Sequence, residues 1–395
     1  MINIYLFLAI ILLLTFLIGR LVEKIRVPWI FAALLIGFAL AIYNPFPSCT
    51  SSETFTFLAQ FGMYSLLFMI GFELDIKELK KLGRFIIKAT FFIICLEAFF
   101  GTLLVHFVFG CSWIISFLVA MSFATVGEAI LFPILDEFKV INTQLGQSII
   151  GIGTLDDVIE VLMIILLIFL LGSDGNPYGS IILVSASLCA LLVLTYGLKT
   201  LKKKSKKFAF LKIETLFLFV LFVLFLFIGI GELAHASAIG AILAGIGLRT
   251  FVPDERLQLI ESEIRTMCYG FFAPLFFVWV GISIDITYLL SYPLLVLLVV
   301  LVSKGSKLIG SYVIARNELG KKQSILLGIG LSVRFSTSII IVKILFENSL
   351  IGSDLYSVII ASSLAFKFIV PVLFANLLVR WNVAREVKER EVRTG

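Results

Sequence analysis

The sequence predicts an all-α integral membrane protein with about thirteen transmembrane helices, on three observations. Of 395 residues, 60% are hydrophobic and only 15% are charged, where a soluble domain carries charge on about a quarter. The apolar residues run in blocks about 20 long rather than in amphipathic stripes, which is the length a helix needs to cross a bilayer. Finally, 26 of the 32 Lys and Arg residues fall in alternate loops, and the intervening loops, such as NPFPSCTSSET and GSDGNPYG, contain none.

The blocks follow in order. The first, 2–19, has no basic leading region and no small-residue cleavage site, so it is a retained span and not a signal peptide. Pro28 opens the second, 28–43, and Asn44, Pro45 and Pro47 close it. The others are expected at 55–73, 85–108, 113–135, 148–171, 180–198, 213–230, 236–248, 266–283, 289–315, 323–346 and 355–379. The basic loops mark the cytoplasmic side. An odd count then places the N-terminus outside and the C-terminus in the cytoplasm, where 380–395 is a short charged tail with no nucleotide-binding domain after it.

The same loops account for the net charge of +6 without a nucleic-acid partner. Cys49, Cys95, Cys111, Cys189 and Cys268 lack metal-ligand spacing and read as small apolar packing residues. His106 and His235 sit near span ends and form no cluster, which points to structural or interfacial roles. There is no nucleophile–base set and no cofactor motif, so the sequence does not read as an enzyme.

Six basic residues remain inside spans: Lys88, Lys304, Lys307, Arg334, Lys343 and Lys367. Lys88, Lys304 and Lys343 are expected to snorkel towards an interface. Lys307, Arg334 and Lys367 lie deeper and call for an acidic partner or a water-filled cavity.

An internal repeat gives these charges a frame. The third span ends LLFMIGFELDI and the tenth FFVWVGISIDI, so Gly71 matches Gly281 and Asp75 matches Asp285. Seven spans separate the copies, which therefore cross in opposite directions, a common plan of secondary transporters. The same shift pairs Glu97 with Lys307 and Asp157 with Lys367. It also pairs SFATVGEAILFPIL (122–135) with LSVRFSTSIIIV (331–342), two segments interrupted by small and hydroxyl residues. Broken helices of this kind expose half-helix ends and backbone groups that need charged partners at membrane depth.

Acidic residues stand inside the spans as well: Glu97, Glu128, and, within GIGTLDDVIEVLMIILLIFLLG (151–172), Asp156, Asp157 and Glu160. An ionised carboxylate at the centre of a membrane helix costs about 2.5–3.5 kcal/mol. Asp156 and Asp157 point about 100° apart, whereas Asp156 and Glu160 share a face. One aspartate is free to pair with a buried base while its neighbour faces an aqueous cavity. Low dielectric raises a carboxylate's pKa and a nearby cation lowers it, so such a group titrates in a usable range. Carboxylates also suit a small hard cation, with Thr125, Thr154, Ser336 and Thr337 as nearby hydroxyls. Ion-pair staples explain any single pair, but five acids and three deep bases are a costly way to gain packing.

The chain resembles the bacterial and archaeal monovalent cation:proton antiporters of the NapA and Kef type. The stretches that carry the resemblance are 66–83, FATVGEAILFPILDEF (123–138), GIGTLDDVIEVL (151–162), HASAIGAILAGIGL (235–248) and APLFFVWVGISIDI (273–286). It implies a homodimer in a prokaryotic cytoplasmic membrane, with no cofactor. It implies a dimerisation part near 1–50 and 180–250 and a core part near 55–171 and 266–379, with two crossed discontinuous helices and elevator-type movement. Asp157 is then the carrier of Na⁺, K⁺ or Li⁺ in competition with H⁺, beside Asp156, Thr125 and Glu128. Lys307 is the counter-ion, and Arg334 lies on the second broken helix. Ser336, Glu128 and Lys367 depart from the family pattern.

The expected function is Na⁺/H⁺ antiport. The alternatives are K⁺/H⁺ antiport of the Kef kind, a gated cation channel, and Na⁺-coupled uptake of an organic anion.

Overall fold

The computed structural model describes residues 3–24, 29–73, 83–124, 135, 140–141, 143–171, 189–191, 193–198, 212–233, 236–252, 254–332 and 336–381. The side chains of residues 157, 168–171, 254–255, 336–337, 364–368 and 371–372 lie outside that description. Among the described residues the chain is all-helical, without strands. Six helical segments are long and apolar enough to cross a membrane: Ile4–Glu23, Glu53–Glu73, Arg84–Phe109, Ile213–Glu232, Arg256–Ile282 and Pro293–Ala315. Shorter apolar helices, Phe31–Ile42, Trp113–Ser122 and Ser237–Phe251, accompany them.

The helices, in chain order, are α1 (Ile4–Glu23), α2 (Phe31–Ile42), α3 (Pro47–Thr50), α4 (Glu53–Glu73), α5 (Arg84–Phe109), α6 (Trp113–Ala124) and α7 (Gln144–Leu171). There follow α8 (Ile213–Glu232), α9 (Ser237–Phe251), α10 (Asp254–Met267), α11 (Ala273–Ile282) and α12 (Ile286–Ser291). The last four are α13 (Pro293–Ala315), α14 (Lys321–Gly330), α15 (Ser336–Glu347) and α16 (Ser353–Arg380). They divide into two compact units: Met1–Thr15 with Ala33–Asp75 and Val161–Ile282, and Phe16–Ala32 with Ile76–Glu160 and Ser283–Gly395. The segments 55–73 and 266–282 belong to the first unit.

In the first unit α4 lies against α9. A Cβ on Gly71 would strike the Ile242 carbonyl, and one on Gly245 would strike the Phe68 carbonyl. Lipid tails are as apolar as leucine, so membrane helices gain little from burial and associate through close packing; a residue without a Cβ lets the two backbones meet. The repeat-matched Gly281 does the same on α11, where its Cβ would lie 2.7 Å from Gly37 Cα of α2. At one end of this unit Arg265 reaches Glu73 Oε1 at 2.6 Å and Glu261 Oε1 at 3.3 Å, and Arg249 lies 3.6 Å from Glu261 Oε2. A π-helical turn, Cys268–Phe272, joins α10 to α11, so this helix starts before the expected 266.

In the second unit α5 packs on α6 and α13, and α13 packs on α14 and α16. The 210-residue shift holds at helix resolution. Adding 210 to the bounds of α7 gives 354–381, one residue from α16 at 353–380. Adding it to the start of α5 gives 294, one residue from the start of α13 at 293.

One span and one loop differ from expectation. The span at 289–315 begins instead at Pro293, which sits at the first helical position where its missing N–H costs nothing. Tyr292 before it is held out of the helical region (φ −129°, ψ 53°), as the residue before a proline must be. That break sets off α12, capped by Asp285, whose Oδ1 accepts from the Tyr288 N–H at 2.9 Å. Within 323–346, where the sequence expects an interruption, α14 ends at Gly330 and α15 starts at Ser336. The loop NPFPSCTSSET contains α3, started by Pro47.

Candidate functional site

The charged positions gather in the second unit. On α5, Glu97 sits midway along an apolar helix and is fully buried. One turn apart on α13, Ser303 and Lys307 face it. The Ser303 hydroxyl donates to Glu97 Oε1 at 2.7 Å, and Lys307 Nζ stands 3.3 Å from Glu97 Oε2. Both members of the ion pair have 0% side-chain exposure. The i, i+4 spacing of 303 and 307 puts both donors on one face of α13 and gives each carboxylate oxygen its own partner. Lys307 thus has a carboxylate partner on α5.

On α7, Asp156 is 1% exposed and Glu160 3% exposed, one turn apart on a shared face. Glu160 is therefore an interior residue of this helix. The Thr154 hydroxyl donates to the Ile150 carbonyl of its own helix at 2.8 Å. Asp157 lies on α7 and Lys367 on α16, but their side chains are outside the described residues, as are those of Ser336 and Thr337. Thr125, Glu128 and Arg334 also lie outside the described residues.

Two lysines expected to snorkel do something else. Lys304, the central residue of α13, donates to the Ser332 carbonyl at 2.7 Å, just past the end of α14. Lys343 on α15 is fully buried, donates to Ser283 Oγ at 2.7 Å and pairs with Glu347 Oε1 at 2.6 Å. The faces of Phe346 and Tyr356 lie 5.3 and 5.6 Å from its ammonium. In each case the ammonium is held by an acceptor within the protein. Lys88, by contrast, is exposed in the first turns of α5.

The remaining candidates have structural surroundings. Cys49 and Cys268 are buried, Cys95 and Cys189 are exposed, and no disulfide joins any of the five. His106 Nδ1 hydrogen-bonds the Cys111 carbonyl at 2.7 Å and its ring stacks on Trp113 at 3.8 Å. His235 lies outside the described residues. Among the described residues no group of His, Cys, Asp and Glu is arranged to hold a metal ion.

Comparison with known proteins fits this picture. The profile of the sodium/hydrogen exchanger transmembrane family matches residues 10–380. A relative in Methanocaldococcus jannaschii, named as probable Na(+)/H(+) antiporter 3, is 27% identical over 376 residues, covering 94% of this chain and 95% of its own. The glutathione-regulated potassium-efflux protein KefC of Shigella flexneri is 28% identical over 302 residues, covering 72% of this chain; the chain spans 47% of its length. The solved structure of the sodium proton antiporter MjNhaP1 from Methanocaldococcus jannaschii superposes with a TM-score of 0.64 at 17% identity, covering 95% of this chain and 96% of that one, and so shares the fold. The chain belongs to the sodium/hydrogen exchanger transmembrane family.

Proposed function

We propose that this protein is a Na⁺/H⁺ antiporter, in which a proton and a cation compete for a carboxylate on α7. The observation that carries the reading is the burial of Asp156 and Glu160, at 1% and 3% exposure, in a membrane helix of a chain from this family. Buried carboxylates in lipid are retained at a cost of several kcal/mol, and ion coupling is what such groups do in membrane proteins. Glu97 and Lys307 neutralise one another and act as the structural pair. Asp157, next to Asp156 and rotated about 100° from it, is the carrier. A site that holds either H⁺ or Na⁺ but never both couples their movements without any further device.

On this reading thirteen spans place the N-terminus outside and the C-terminus in the cytoplasm. Two such chains form a homodimer. The helices that carry the charges, with crossed breaks within 122–135 and 331–342, move as an elevator between the two faces of the membrane. Thr125 and Glu128 line the first break and Arg334 the second, and Lys367 faces Asp157.

K⁺/H⁺ exchange is the second reading, favoured by the relatives named KefC. Purified protein in liposomes under an imposed proton gradient tests both. Na⁺-dependent dissipation between pH 6 and 9, outcompeting K⁺, is the expected result. Dissipation by K⁺ alone selects the second reading, and no cation-dependent signal at any pH in that window overturns both.

A further inference from the structure

The C-terminal end of α15 carries a second buried cluster. Lys343 and Glu347 stand one turn apart there and share a face, with Phe346 beside them. Past the helix the chain reverses at Ser349, which takes a left-handed φ of 56°. The Leu350 N–H closes the turn on the Leu345 carbonyl at 2.9 Å. The reversal leads into α16, where Tyr356 stacks on Phe346 with ring centroids 4.4 Å apart.

Together these groups make a box around one ammonium. The rings of Phe346 and Tyr356 lie 5.3 and 5.6 Å from Lys343 Nζ. Ser283 Oγ accepts from it at 2.7 Å, and Glu347 Oε1 meets it at 2.6 Å. Tyr356 is fully buried and also hydrogen-bonds Ser283, so one aromatic wall is tied to the hydroxyl. Glu347, exposed over 41% of its side chain, is the wall that meets the outside. Ring faces attract an organic cation through their quadrupole, and the two oxygens take up its N–H groups. A hard metal cation binds through oxygens on every side and makes poor use of two walls of carbon.

We propose that Ser283, Phe346, Glu347 and Tyr356 form a binding site for a primary alkylammonium ion, and that Lys343 is its tethered occupant. Because this ligand belongs to the chain, the site stays filled whatever cations the solution carries. A free amine enters only when the tether is cut.

Lys343→Ala cuts it, keeping Cβ and removing everything from Cγ to Nζ, which is the outline of n-propylammonium. The variant is extracted with n-propylammonium chloride present. Its thermal unfolding in detergent, with and without the amine at constant ionic strength, is compared with that of wild type and of Lys343→Met. The amine should raise the unfolding temperature of Lys343→Ala by a few degrees, saturably, and leave the other two unmoved, because their boxes are full. Neither 1-propanol nor Na⁺ at the same concentration should reproduce the shift. Adding Glu347→Gln to Lys343→Ala should raise the half-saturating amine concentration on the order of tenfold, since a charge-assisted hydrogen bond becomes a neutral one. No shift in Lys343→Ala overturns the proposal, and so does an equal shift in all three proteins or with 1-propanol. If Lys343→Ala yields no folded protein even with the amine present, the box does not hold the free ion and the proposal falls as well.

Discussion

Glu97 and Lys307 are 210 residues apart in the chain (307 − 97) and 3.3 Å apart in space. The same 210 residues relate α7 to α16 and Gly71 to Gly281. A residue meets its own repeat equivalent only close to the axis that relates the two copies. The ion pair therefore marks the line where α5 and α13 face one another. The two copies carry opposite charges at that point, so the repeat is closed by attraction where identical residues would repel or merely pack.

The pair is fully buried, so breaking it should cost far more than replacing it. Lys307→Met leaves the Glu97 carboxylate in a dry interior facing the Ser303 hydroxyl, and should destabilise the protein by about 3–5 kcal/mol. The double variant Glu97→Leu, Lys307→Met removes both charges and should recover most of that loss. Thermal unfolding in detergent of wild type, both single variants and the double variant measures the coupling. Equal loss in single and double variants would mean the charges do not hold each other.

Exchange should depend on α7 in a different way. Asp157→Asn removes the exchangeable proton with almost no change in volume, so transport should fall to the background of protein-free liposomes. The unfolding temperature should stay within a few degrees of wild type, since a carboxylate in lipid is a cost to the fold. Cation-dependent pH change in liposomes, read beside a melting curve, checks both. Normal exchange by Asp157→Asn would move the carrier role to Asp156 or Glu160.

Lys343 and Glu347 are an asymmetric pair. The ammonium is buried, while 41% of the carboxylate side chain is exposed. Glu347→Ala takes a charge partner from a group that cannot rehydrate where it stands, and should cost about 2–3 kcal/mol. Lys343→Met leaves Glu347 reachable by solvent and should cost under about 1 kcal/mol, because the methionine fills the space between Phe346 and Tyr356. Opposite ranking of the two in thermal unfolding would show that the carboxylate is solvated first and paired second.

The helical class and the burial of Glu97, Asp156 and Glu160 were legible in the sequence because lipid enforces both strongly. Long apolar runs have few other readings, and a charge inside one is conspicuous. What was not legible was where a long side chain ends. Lys304 and Lys343 have stems that reach either an interface or an internal acceptor, and hydropathy is the same in both cases; only the packing of α13 on α14, and of α15 beside Ser283, decides. The short helix α12 straddles the start of the expected span at 289, and its signals are Asp285 as cap and Pro293 as breaker. The Glu97–Lys307 contact has a signal in the sequence, because two repeat-equivalent positions of opposite charge are candidates to meet.

Close helix crossing makes a last prediction, about glycines of equal sequence rank and unequal surroundings. At Gly71 an added methyl would enter the space of the Ile242 carbonyl, and at Gly281 it would lie 2.6 Å from the Leu34 carbonyl, so α4 and α9, or α11 and α2, must separate. Gly71→Ala and Gly281→Ala should each destabilise the protein by about 1–3 kcal/mol, as overpacking does. Gly229, in α8, has nothing within 4 Å of a built Cβ. Gly229→Ala should be neutral or stabilising by up to about 1 kcal/mol, because alanine loses less backbone freedom in a helix. Thermal unfolding of the three variants in one detergent decides the matter. Equal effects at 71 and 281 would mean that the repeated glycine serves the same packing purpose in both copies, and an effect at 229 as large as theirs would mean that its open face is covered in the membrane.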